Sequence, residues 1–247
     1  NHFYVKNLTF TIFFLLNILI LCSNCSILEK MKYNFLITTS AGNQIDCDLY
    51  TKARDESKPV VLIVHGFKGF KDWGFFPPSA RFFEDSGYHA ITFNFSHNGV
   101  SPGKCDFDDL RSFAENSLSL EVDELKELSS FIISGKFCNF SGQLFIIGHS
   151  RGGGVTLLSS PAIKNLDAVA VWSSISYVDR YTDRQKKEWK EKGSLSFLNT
   201  RTGQEMSMNY SFLEDLLTNK AAKLSIEKSI AQLEVPVLAV HGEIDLT

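Results

Sequence analysis

The chain is 247 residues long, with 25 basic and 28 acidic side chains and a formal net charge of −3. That length buries one substantial core and reads as one domain rather than two. The balanced charge, without a basic stripe, excludes a nucleic-acid-binding surface. Five cysteines, of which only Cys22 and Cys25 are close, make neither a disulfide framework nor a zinc site.

The first segment contains "KNLTFTIFFLLNILILCSNCS": a basic residue, an apolar run from Leu8 to Leu21, then small polar residues. This is the layout of a secretory signal peptide, and it is short for a membrane span. Residues 1–30 are set aside as a leader, with Ser23 and Cys25 as the small residues before a cleavage point. A leader of this kind predicts export. Translation beginning at Met31 would instead make the protein cytoplasmic and residues 1–30 an upstream segment. No stable membrane span is expected in 31–247.

From Lys32 onward strands and helices alternate. "KYNFLITTSAGNQIDCDLYT" reads as a hairpin turning at Ser40–Asn43. "PVVLIVHGF" is a continuous apolar run and hence a strand buried on both faces. A helix is predicted over Pro78–Ser86, and a buried strand over "YHAITFNF" leads into the loop "SHNGVSPG". One long amphipathic helix is predicted over Phe107–Ser134. Then follow a strand at Leu144–Ile147, a helix from Gly152, a strand "AVAVW" ending at Trp172, and a last strand "PVLAVHG". This order predicts an α/β fold, a mostly parallel sheet with helices on both faces.

The segment from about 176 to 232 breaks the alternation. "DRYTDRQKKEWKEKG" is charged and helical, "SLSFLNTRTGQEMSMN" reads as a hairpin around Asn199–Gly203, and "FLEDLLTNKAAKL" is helical again. It is expected to form a small cap over one end of the sheet. Its residues Tyr177, Trp189, Phe197 and Met206 could line a pocket or form the cap's own core.

The chemistry is concentrated where strands end. "LFIIGHSRGGGV" carries G-x-S-x-G, a spacing that puts Ser150 at a sharp strand-to-helix turn whose flanking residues must be small. Chance alone yields this spacing in roughly one chain in ten of this length, so it counts only with support. The Arg151 amide at the start of the following helix can face an oxyanion. In "HGFKGFKDW" the Phe67 amide is the candidate second donor, although His65-Gly66 could equally be a plain strand-to-loop turn. A serine nucleophile needs a base oriented by a carboxylate. In "HGEID", Asp245 is the candidate, with Glu243 the weaker one.

With "HGFKGFKDW", "FNFSHNGVS", "GHSRGGG" and "VPVLAVHGEID" in this order, residues 32–247 resemble the α/β-hydrolase superfamily. Within it the chain is similar to bacterial esterases and to dienelactone-hydrolase-like or prolyl-oligopeptidase-like catalytic domains. The resemblance implies a nucleophile at Ser150, a triad acid at Asp245, and an oxyanion hole from the amides of Phe67 and Arg151. It implies a serine hydrolase acting on a small-molecule ester, without cofactor or metal. A serine peptidase of prolyl-oligopeptidase type, or a hydrolase-fold protein that only binds, are the alternatives. The family order Ser–Asp–His puts the base after Asp245, yet no histidine follows it before Thr247. The sequence is therefore expected to stop short of its catalytic histidine, and residues 1–247 alone to be nearly inactive. His97, in a loop after a strand, is the one substitute base considered, against a plain loop or pocket-lining role.

Overall fold

The computed structural model describes residues 32–245; the expected leader lies outside the described residues. A seven-stranded sheet has the order β1-β2-β4-β3-β5-β6-β9. Its strands are β1 (Lys32–Thr38), β2 (Gln44–Tyr50), β3 (Lys58–Val64), β4 (His89–Asn94), β5 (Phe140–His149), β6 (Leu166–Trp172) and β9 (Val237–Val240). The β1–β2 and β2–β4 pairs are antiparallel, and every pair from β4 through β3, β5 and β6 to β9 is parallel. This is the mostly parallel sheet that the alternating sequence predicts.

The apolar runs follow from burial on both faces. Along β3, Val60, Leu62 and Val64 join the main core, whereas Val61 and Ile63 face the other side with Phe76 and Ala80 of α1 (Phe76–Asp85). The first face is covered by α3 (Leu118–Ile133), through Leu118, Val122, Leu125, Leu128 and Ile132, and by α4 (Arg151–Ser159), through Val155 and Leu158.

The single helix predicted over Phe107–Ser134 is instead two. α2 (Leu110–Glu115) ends at Asn116, whose φ −61°, ψ 156° is extended, and α3 begins afresh at Ser117. Ser117 Oγ accepts from the Leu120 amide at 3.1 Å, and Asn116 Nδ2 donates to Glu121 at 2.8 Å. Two side chains that bond backbone and neighbours locally outcompete continuation of the helix. Among the described residues, no helix is long and apolar enough to cross a membrane.

Between β6 and β9 lies an insertion: α5 (Asp183–Lys192), the hairpin β7 (Ser194–Asn199) and β8 (Gln204–Asn209), α6 (Tyr210–Asn219) and α7 (Ile226–Ala231). A Thr182/Gln185 capping box starts α5 and left-handed Gly193, φ 74°, ends it. Only Trp189 of α5 is buried, so the charge run is a solvated face. Trp189 stacks on Phe212 at 5.9 Å and donates from Nε1 to the Met208 carbonyl at 2.9 Å. Trp189 and Met206 are thus core, while Tyr177 is 60% exposed.

Candidate active site

Register aligns the strand ends. His149 pairs with Trp172, Trp172 with Val240, and Val64 of β3 with Gly148. The residues that follow, His65, Ser150, Ser173 and His241, therefore stand side by side at the C-terminal edge, where open parallel sheets bind ligands. Ser150 and the loop after β9 are two strand spacings apart, about 10 Å.

Ser150 has φ 54°, ψ −122°, a backbone conformation costly for any residue but glycine. Close packing enforces it. A Cβ on Gly148 would meet the Gly152 carbonyl oxygen at 2.6 Å, and one on Gly152 would overlap the His65 carbonyl. The glycines of G-x-S-x-G thus let β5, α4 and the strand end of β3 touch backbone to backbone. The Ser150 amide donates to the Trp172 carbonyl at 2.9 Å, and its carbonyl accepts from Gly153 at 3.0 Å, which fixes the turn from both sides.

A Cβ on Gly66 would lie 3.0 Å from Ser150 Cβ, so the segment entering Phe67 runs against the elbow. Among the described residues, neither the Phe67 nor the Arg151 amide has a hydrogen-bond acceptor; for Arg151 this is the ordinary state of a first helical residue. The Arg151 side chain, by contrast, is engaged. Its Nη2 pairs with Glu121, and its guanidinium lies 4.5 Å from the centroid of the Phe67 ring. The sequence singled out the Arg151 amide and gave no sign of this pair, because Glu121 is 30 residues away in the chain.

The described histidines divide by environment. His65 is buried, its Nδ1 donating to the Gly66 carbonyl at 3.0 Å while Nε2 accepts from the Phe95 amide at 3.5 Å. Burial holds its pKa down at about 4, so it is neutral and braces the turn. His149 packs edge-on against Phe75 at 5.0 Å, and burial lowers its pKa while the charge of Asp245 raises it. His89 bonds Thr51 and the Glu56 carbonyl at 2.9 Å each. His97 bonds Ser96 Oγ at 2.6 Å and lines a cavity of about 430 Å³ whose walls include neither Ser150 nor Phe67. His241 Nε2 stands 3.6 Å from Asp245 Oδ2. Glu243 is exposed and Asp245 partly buried, its amide donating to the Gly242 carbonyl at 3.1 Å. Among the described residues no histidine hydrogen-bonds Ser150, and no group of acidic, histidine and cysteine side chains could hold a metal ion.

No sequence pattern marks the Lys71 charge network. Lys71 is buried, with Nζ 2.7 Å from both Asp48 and Asp72, and its amide donates to Asn94 at 2.7 Å. Lys32 adds a second cation, 2.8 Å from Asp48 and 2.8 Å from Asp72. The network ties the loop after β3, which carries Phe67, to β1, β2 and β4.

No family model and no curated protein matches the chain. Solved structures do. It is similar to Est1E from Butyrivibrio proteoclasticus, with 15% identity over 85% of this chain and 77% of that one and a TM-score of 0.59. An α/β hydrolase, GrgF from Penicillium sp. sh18, superimposes over 87% and 91% of the two chains at 13% identity and TM-score 0.64. An esterase from Pyrococcus furiosus does so over 96% and 74%, at 17% identity and TM-score 0.57. The chain has the α/β-hydrolase fold.

Proposed function

We propose that the protein is a serine hydrolase that cleaves small carboxylic esters through an acyl-enzyme on Ser150. The observation that carries this reading is the left-handed backbone of Ser150 at the start of α4, flanked by the amides of Phe67 and Arg151, which have no acceptor among the described residues. Ser150 Oγ attacks the ester carbonyl, whose oxygen takes the negative charge between those amides. A histidine base removes the serine proton and returns it to the leaving alcohol. Water then releases the acid by the same steps in reverse. Asp245 is the carboxylate that orients that base. Residues of about 176–232 act as a cap that selects the substrate, and the chemistry calls for no cofactor.

The test is hydrolysis of p-nitrophenyl butyrate by protein expressed from its whole reading frame. Ser150→Ala is expected to lower turnover on the order of a million-fold, and Asp245→Asn by about ten-thousand-fold. Turnover that survives Ser150→Ala would sink the reading. The lack of a histidine bonded to Ser150 among the described residues favours a second one, a hydrolase-fold protein that binds without turnover. Specific ester binding by unmodified protein, with no acid released, would establish it.

A further inference from the structure

Most cations around the elbow are neutralised. Arg151 is paired with Glu121, and Lys71 and Lys32 share Asp48 and Asp72. Lys68 and Arg201 are the exceptions. Neither has a carboxylate at ion-pair distance among the described residues. The two nevertheless belong together: Arg201, in the turn between β7 and β8, donates from Nη2 to the Lys68 carbonyl.

Both side chains are held in place by rings. The Arg201 guanidinium lies 4.0 Å over Trp73. The Lys68 ammonium is 5.7 Å from the Phe67 ring centroid and 5.8 Å from that of Phe197. Lys68 also has φ 54°, a left-handed backbone that an L-residue adopts at a cost. Burial, and after it the charge of Arg201, holds the Lys68 pKa below its usual value, as expected where positive charge is uncompensated. Among the described residues, Arg201 spends one of its five N–H donors on Lys68, and Lys68 spends none of its three. Lys68 lies two residues along the chain from Gly66, where an added Cβ would stand 3.0 Å from Ser150 Cβ, and Arg201 reaches the same segment through the Lys68 carbonyl. Two residues span at most about 7 Å.

We propose that Lys68 and Arg201 form an anion subsite beside the reacting serine, and that the substrate is an ester that also carries a carboxylate. A carboxylate can take two parallel N–H bonds from the guanidinium and a third from the ammonium. The two carboxyl carbons of a five-carbon diacid are four carbon–carbon bonds, about 5 Å, apart, and a glutarate half-ester serves as the probe. The proposal rests on the reading of Ser150 only for where the ester lies.

The experiment uses protein from the whole reading frame carrying Ser150→Ala, which binds without turnover, so its result does not depend on whether esters are hydrolysed. Monomethyl glutarate and neutral methyl pentanoate are titrated by calorimetry, with 4-acetoxybutanoate and butyl acetate as the pair that carries the charge on the alcohol side. In at least one pair the carboxylate ester is expected to bind about tenfold tighter than its neutral partner. Which pair responds identifies the side of the ester. Added Arg201→Gln or Lys68→Asn should cut that preference to about threefold or less, and so should raising NaCl from about 0.05 to about 0.5 M, which needs no variant to fold. Equal affinities in both pairs would overturn the proposal, as would a preference untouched by salt and by loss of both cations. Failure of the unmodified protein to hydrolyse any ester would overturn the reading of Ser150 and leave this result standing.

Discussion

At the elbow the chain packs backbone on backbone, with Gly148 and Gly152 against main-chain atoms and Ser150 held at φ 54°. In the insertion, rings and thioethers pack instead: Trp189 on Phe212 and Tyr181, with Met206 and Met208 buried beside them. Glycines there serve turns alone, since a Cβ on Gly193 or Gly203 would meet nothing within 4 Å. The first construction tolerates no added atom. The second depends on bulk and can shift to absorb change. A catalytic turn needs the former, because a displacement of an ångström at reacting atoms is costly. A surface that sorts ligands can be built the second way.

This contrast can be broken most severely at Gly152. Gly152→Ala sets a methyl group into the His65 carbonyl, and its cost is expected to exceed about 4 kcal/mol. Loss of the near-ultraviolet circular dichroism of the folded chain would register it. A variant of native stability would mean that the elbow can relax as the insertion does. Trp189→Ala should cost about 4 kcal/mol by emptying a fully buried site. Hydrogen exchange read peptide by peptide should find the loss concentrated in 183–216, and a uniform loss across β3 and β5 would erase the distinction between the regions.

The smallest effect sharpens the comparison through pH. The folded pKa of His65, about 4, lies below its ordinary value of 6.5. Between these the unfolded chain binds more protons, so stability rises with pH through this window. The contribution is complete above about pH 6.5 and is lost as pH falls towards 4, amounting to about 3 kcal/mol. Burial depresses His89, His97 and His149 in the same direction. Urea unfolding at pH 7 and pH 4.5 should therefore show a smaller pH dependence in His65→Gln than in the unmodified chain. An unchanged slope would mean that His65 is not the buried neutral ring described.

How much was legible follows from the same contrast. Constraints of backbone on backbone appear locally in sequence, as glycines at fixed offsets after β-branched runs, and they make the sheet and the elbow legible. The hairpin around Asn199–Gly203 is legible for another reason, alternating side chains on either side of a turn sequence. The break at Asn116–Ser117 was written in a capping serine, but the amphipathic pattern on either side masked it. The Arg151–Glu121 pair and the Lys71–Asp48 contact are not legible in the sequence, because each joins charges that the chain separates widely. Nothing in a single sequence ranks one such pairing over another. Phe197, left open between pocket and core, packs against the Phe67 ring at 5.2 Å, a contact that exists only once the hairpin meets the loop after β3.

The hairpin turn reaches further than its place in the insertion suggests. Arg201 holds the Lys68 carbonyl, and that peptide unit is two along the chain from the one that carries the Phe67 amide. The insertion is therefore not an interchangeable module. Swapping it for another segment of equal length would exchange the proposed cap and, in the same stroke, remove a brace from the loop that faces Ser150. Under the proposed reading, a change in the hairpin turn alters ligand preference and the geometry around Ser150 together.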